Sequence, residues 1–137
     1  MLVSFCVIAY NEEKALDSLF KDIIAQDYPH GNIEVILVNA MSTDQTRRKM
    51  EHFSEEDHGF RRVVVLDNAK KIQAAGWNVA ITASKGDIIL RIDAHTMIPH
   101  DFVSKNVQCI LSGENVTGGR RPNVVEEETP WKHTLLL

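Results

Sequence analysis

The chain has 137 residues, 25% of them charged, and a formal net charge of −4. That length fits one domain with a real core, and the acidic balance argues against nucleic acid as the main partner. Aromatic residues make up only 7% and do not interleave with basic ones, which excludes the stacking surface of a single-strand binder.

Residues 2–10 are apolar almost throughout (Val3, Phe5, Cys6, Val7, Ile8), as in a central parallel strand covered on both faces. Tyr10, Asn11, Glu12 and Glu13 end it, and the acidic residues open a helix as the macrodipole prefers. Ala15, Leu16, Leu19, Phe20, Ile23 and Ile24 give that helix one apolar stripe, and the breaker residues 27–31 stop it. Residues 33–38 form the second buried strand, followed by the loop Asn39, Ala40, Met41. Ser42 and Gln45 match a capping box, with Ser42 as N-cap of a helix reaching Phe53. Residues 54–61 are a charged loop, and residues 62–66 a third, shorter strand.

The third helix is expected over residues 71–84, with Ile72, Ala75, Val79, Ala80 and Ala83 on its apolar face. Trp77 and Asn78 on it read as packing and a buried hydrogen bond. Residues 87–92 form a fourth, buried strand; Arg91 within it needs a partner or an edge. Pro99 suits the first turn of a fourth helix carrying Phe102, Val103, Val107, Ile110 and Leu111 inward, and Gly113 ends it. Residues 115–119 read as a short fifth strand, and residues 120–129 as a polar, mobile stretch containing the acidic run Glu126, Glu127, Glu128. The apolar end, Trp131 with Leu135, Leu136 and Leu137, has no polar stop, which points to a fragment of something longer and to self-association through an uncovered tail.

Cys6 in a strand and Cys109 on a helix read as buried free thiols of a reducing compartment. No basic leader precedes the first strand and no apolar run spans a bilayer, so a cytoplasmic location is expected, with any membrane association carried by segments outside this chain.

Strands alternating with helices argue a doubly wound, mostly parallel α/β sheet. In such sheets ligands lie outside the carboxyl ends of the strands. With the first and fourth strands adjacent at the switch point, Tyr10, Asn11 and Glu12 face Asp93, Ala94 and His95 across one crevice, and residues 39–44 open into it from the second strand. Asp93 and His95, two apart at a strand end, point the same way. The plainer alternative is a turn-capping Asp93 and an exposed His95. No Gly-rich phosphate loop or dinucleotide fingerprint follows any strand. An Asp–His pair instead suits a divalent cation that in turn holds a diphosphate; the nitrogen ligand favours manganese without excluding magnesium.

Three segments carry a resemblance. Val7-Ile8-Ala9-Tyr10-Asn11-Glu12-Glu13 resembles the opening motif of family 2 glycosyltransferases, which have the GT-A fold. Val38-Asn39-Ala40-Met41-Ser42-Thr43-Asp44-Gln45-Thr46 resembles their second motif, an acidic pair followed by Gly-Ser-Thr-Asp-Gly-Thr. Residues 86–95 resemble the segment carrying their Asp-x-Asp motif, in the Asp-Ala-His variant of the succinoglycan and exopolysaccharide type.

The resemblance implies an inverting transfer of a hexosyl-type sugar from a nucleoside diphosphate donor, a UDP-sugar first, to a saccharide or lipid-linked acceptor. Donor contacts would come from Ala9, Tyr10, Asn11, Glu12, Asn39, Met41, Ser42, Lys71, Asp93 and Ala94, and Asp93 with His95 would hold the cation. The solvated reading of the Lys70–Lys71 pair stands beside that role for Lys71, and Asp44 suits loop support as well as ligand contact. Three departures matter. Asn39 and Ala40 replace the acidic pair, His95 replaces a metal-binding aspartate, and the family's general base belongs to a later acceptor-binding half. The chain is therefore expected to bind donor without transferring sugar. A non-catalytic α/β module that binds a nucleotide or a partner through the same crevice is the alternative.

Overall fold

The computed structural model describes residues 1–119. Strand β1 (Val3–Ala9) is followed by helix α1 (Glu13–Ile24), β2 (Ile33–Asn39), α2 (Thr46–Glu55), β3 (Arg62–Asp67), α3 (Gln73–Ala83), β4 (Ile88–Asp93) and α4 (Phe102–Leu111). The four strands form one sheet in the order β3-β2-β1-β4, every pair parallel. The β1–β4 adjacency expected at the switch point is present.

Alternation along the strands divides the core in two. Val3, Phe5, Val7 and Ala9 of β1 join Ile33, Val35 and Leu37 of β2 on the face packed by Leu16, Leu19 and Ile23 of α1, Met50 and Phe53 of α2, and Val103 and Val107 of α4. Phe20 stacks on Phe53 at 4.2 Å between ring centroids, joining α1 to α2. The opposite face, Cys6, Ile36 and Val38, is covered by α3 through Trp77 and Ala80. Among the described residues no helix is long and apolar enough to cross a membrane.

Several expectations change. The second helix opens at Thr46, so Ser42 and Gln45 do not form its capping box; the Ser42 hydroxyl accepts from the Asn11 backbone instead. Helix α3 opens at Gln73, because Lys71 adopts φ +60. Ile72 is then 62% exposed and lies outside the apolar face. Ile24 on α1 and Asn78 on α3 face solvent. Cys109 is also exposed: α4 buries Val103, Asn106 and Val107, and a residue two beyond Val107 lies on the far side of the helix. Strand β4 is not covered on both faces. Its inward Ile88, Leu90 and Ile92 alternate with exposed Ile89 and Arg91, since α3 lies mainly over β1, β2 and β3. Arg91 finds its partner in Trp77, with the guanidinium carbon 4.4 Å from the ring centroid. Residues 115–119 form no strand; a lone valine among Asn, Thr and Gly offers no apolar face to bury, and Val116 is 86% exposed. The expectations for residues 120–137 lie outside the described residues.

At the amino-terminal end of the sheet, Glu34 is buried and fully engaged. It accepts from Ser4 Oγ, from the Lys85 backbone N–H at 2.6 Å and from Arg62 Nε at 2.5 Å. Gly86 closes the cluster: its N–H donates to Ser4 Oγ at 2.8 Å, and a Cβ there would meet that oxygen at 2.5 Å and the Ser4 nitrogen at 2.6 Å. Only glycine fits this approach without displacing backbone.

Candidate functional site

The strand register decides which loops can cooperate. Ala9 pairs with Asn39, Asn39 with Asp67, and Ile8 with Asp93, so all four strands end at one level. The loops after them rise around a crevice of about 210 Å³ lined by Ile8, Ala9, Tyr10 and Glu12 after β1, Val38 and Ala40 from β2, Asn68, Lys71, Gln73 and Gly76 around the start of α3, and Asp93, Ala94 and His95 after β4. That volume is below the ~300 Å³ lower bound of small-molecule sites, so residues 1–119 supply a floor and walls for part of a ligand. Tyr10 stands at its rim, 53% exposed, able to lie against a planar ring. His95 Nδ1 lies 3.1 Å from Glu12 Oε1 and ties the end of β4 to the end of β1.

Of the residues singled out in the sequence, Ala9, Tyr10, Glu12, Lys71, Asp93, Ala94 and His95 line this crevice. Asn11, Asn39, Met41 and Ser42 do not; all but Met41 stitch the loops together. Thr43 N donates to Asn11 Oδ1 at 2.8 Å, Asn11 N to Ser42 Oγ at 3.0 Å, and Glu12 N to Thr46 Oγ1 at 2.8 Å. Gln45 N reaches back to Glu13 Oε2 at 2.9 Å. Asn39 is buried with its amide spent on both sides, accepting from Ser42 N at 3.1 Å and donating to Asp67 Oδ1 at 3.2 Å. Asp67 is itself paired with Arg47, whose hydrogen bond holds its carboxyl below the usual range against the opposing effect of burial.

Asp44 supports the same loops. Partial burial would raise its pKa, but donors from Thr46 and the Glu13 backbone outweigh this and keep it low. Asn11 and Met41 adopt φ +51 and +59, so each of these turns contains a left-handed residue. Asparagine tolerates that region far better than alanine. Asn11→Ala should therefore cost about 1–2 kcal/mol through the turn and its lost acceptor. The check is urea denaturation; an unchanged midpoint would mean that the stitching carries no stability.

Residues missed in the sequence, Asn68, Gln73 and Gly76, enter the crevice from the β3–α3 turn. A Cβ on Gly76 would meet Asn68 Nδ2 at 3.2 Å and Ile8 Cγ2 at 3.4 Å, so this glycine lets α3 sit close to β1. The asparagine after a strand end was a readable signal; its burial at 3% was not.

A parallel α/β sheet with a polar crevice at the carboxyl ends of its central strands is the doubly wound architecture, which takes its ligands at that edge. The chain is a member of glycosyl transferase family 2, which it matches over residues 4–136. It is 27% identical over 106 residues to the dolichyl N-acetyl-alpha-D-glucosaminyl phosphate 3-beta-D-2,3-diacetamido-2,3-dideoxy-beta-D-glucuronosyltransferase of Methanococcus voltae, covering 77% of this chain and 33% of that protein. It is 33% identical over 104 residues to the succinoglycan biosynthesis protein ExoA of Rhizobium meliloti, covering 74% and 30%. The chain thus spans about a third of the length of these relatives.

Among solved structures, the Pyrobaculum calidifontis mannosyltransferase PcManGT in complex with GDP-Man and Mn2+ superposes with a TM-score of 0.77 at 25% identity, over 88% of this chain and 36% of that one. Staphylococcus aureus TarS superposes with a TM-score of 0.74 at 23% identity, over 89% and 39%, and shows the fold alone. The fold is the Rossmann-like α/β fold of the GT-A glycosyltransferases.

Among the described residues no three His, Cys, Asp or Glu side chains converge as a ready-made cation cage. A hard divalent ion takes about six or more ligands. Asp93 and His95 could supply two, of mixed oxygen and nitrogen type, and the rest would have to come from ligand oxygens and water. That donor set fits a cation brought in with a diphosphate.

Proposed function

We propose that this chain is the donor-binding half of an inverting glycosyltransferase, holding a nucleoside diphosphate sugar with a divalent cation. The carrying observation is the crevice itself, where Tyr10 and Glu12 after β1 meet Asp93 and His95 after β4. The exposed Tyr10 ring gives a base a surface to lie on. Lys71, held at φ +60 on the crevice wall, places a cation where phosphate oxygens would run. Asp93 and His95 would hold manganese or magnesium, which supplies Lewis-acid stabilisation to the departing diphosphate. The GDP-Man and Mn2+ named for the mannosyltransferase support a nucleotide-sugar donor with a metal.

The acceptor is a lipid-linked or saccharide chain, as the names of the relatives suggest, and the Asp93-Ala94-His95 ending with the ExoA identity favours exopolysaccharide synthesis. Calorimetry of the full chain with UDP, GDP, CDP and ADP, with and without manganese, tests this reading. Binding of at least one diphosphate, strengthened by the metal, is expected. Failure of all four to bind would overturn the proposal and leave a partner-binding module.

A further inference from the structure

We infer that Gln26, just past the carboxyl end of α1, is a positioning residue for the cation site: it fixes the irregular segment between β4 and α4, and through it the placement of Asp93 and His95. The inference rests on the proposed function and names what keeps that site in shape.

Residues 94–101 form neither helix nor strand, so no regular ladder sets their course. The first turn closes locally, with Thr96 N donating to Asp93 O at 3.0 Å. Beyond it the backbone is tied to the end of α1. Asp22 Oδ2 accepts from Ile98 N at 3.1 Å, and Asp27 N donates to His100 O at 2.9 Å. Between these two ties lies Gln26, 5% exposed, with both ends of its amide committed. Its Nε2 donates to Pro99 O at 2.9 Å and to Asp22 O at 3.0 Å, and its Oε1 accepts from Val103 N at 2.9 Å.

The Val103 N–H lies in the first turn of α4, where no carbonyl of the same helix is in reach. Gln26 therefore caps a donor that burial would otherwise leave unpaired. Two carbonyls on its nitrogen and one N–H on its oxygen also fix the orientation of the amide, because a flip would set like groups against each other.

The same helix reaches the crevice at its other end. Glu12, the residue before α1 opens, has its carboxylate 3.1 Å from His95 Nδ1, and its carbonyl accepts from Ala15 N and Leu16 N. One rigid element thus holds the segment twice, at His95 and again over residues 98–103. The first hold is an exposed pair, and such pairs contribute little by themselves. Ligating side chains must be kept within about 0.5 Å of their working positions. The buried hold, centred on Gln26, supplies that constraint.

The experiment titrates the full chain with UDP and GDP, with and without manganese, and reads the gain in affinity that the metal brings. Gln26→Met fills similar space without the hydrogen bonds of the amide. It should cut the manganese gain about tenfold and leave metal-free binding within about threefold. In the same variant, hydrogen exchange of the Val103 amide should speed up about tenfold relative to the amides of β1. Asp22→Ala, which releases the Ile98 N–H, should lower the gain about threefold, and it decides the question if Gln26→Met does not fold. Ile36→Val, in the core on the opposite face of the sheet, controls for lost stability and should keep the full gain. An undiminished gain in whichever of the first two variants folds, or an equal loss in Ile36→Val, overturns the positioning role while leaving the donor site intact. Diphosphate binding by the unaltered chain that ignores manganese overturns the cation reading and the role of Gln26 with it. Failure of every diphosphate to bind overturns the site itself.

Discussion

Asp93→Asn should reduce metal-promoted diphosphate binding on the order of a hundredfold, while leaving metal-free nucleotide binding within about threefold. Asparagine keeps the shape of the side chain and one acceptor oxygen, and removes the charge. Strand β4 delivers this residue in register with Ile8, beside the end of the central strand, so the loss falls on the cation and the phosphates it bridges and not on the base. His95→Ala should act in the same direction. It removes the nitrogen donor and releases Glu12, whose carboxylate lies 3.1 Å from the ring. A cation with only two side-chain donors depends on each of them, since ligand oxygens and water must fill the remaining positions. The measurement is calorimetric titration of UDP and GDP with and without manganese on both variants. An undiminished manganese effect in either variant would remove that residue from the cation's ligands.

The second large effect lies at the other end of the sheet and concerns stability. Glu34→Ala should cost about 3–5 kcal/mol, because it strands Arg62 and the Ser4 hydroxyl around a vacated carboxylate. Arg62 also donates to the Ala83 carbonyl at 2.5 Å, so the guanidinium cannot leave without unpairing the end of α3. Burial alone would push the Glu34 carboxyl up. The Lys85 backbone N–H, the Ser4 hydroxyl and Arg62 outweigh that and hold it below its ordinary value. A depressed folded-state pKa fixes the sign of the pH dependence. The contribution is complete above the ordinary carboxylate range and is lost as pH falls through the folded-state value. The stability gap between the natural chain and Glu34→Gln should be widest near neutrality and narrow in acid. Denaturant melts of both proteins from neutral pH downward would show it, and a gap that stayed constant or widened in acid would refute the assignment.

Most of the architecture was legible in the sequence, because it rests on local patterns. Apolar runs such as residues 33–38 leave no polar face and must be covered on both sides, which specifies parallel strands under helices. The stripe of Leu16, Leu19, Phe20 and Ile23 fixed α1 and its buried side. The polar residues closing β1 and β4 marked the crevice, since a buried strand that ends in Tyr10, Asn11, Glu12 or in Asp93, Ala94, His95 has changed its surroundings at that point.

Tertiary structure decided what the pattern could not hold. Ser42 reads locally as a helix cap, yet the Asn11 backbone in the loop after β1 claims its hydroxyl. Asn39 reads as a ligand group, yet Asp67 and Ser42 consume its amide. Asn68 and Gln73 reach the crevice because β3 ends level with β2, a register that no window of sequence contains. Glu34, one polar residue in an apolar strand, acquires its meaning from Arg62, Ser4 and Lys85, 28, 30 and 51 positions away. Chain periodicity determines which face of an element is buried. Which hydrogen-bonding groups remain for a ligand depends on the long-range partners that claim the others, and those are set only when the strands pair.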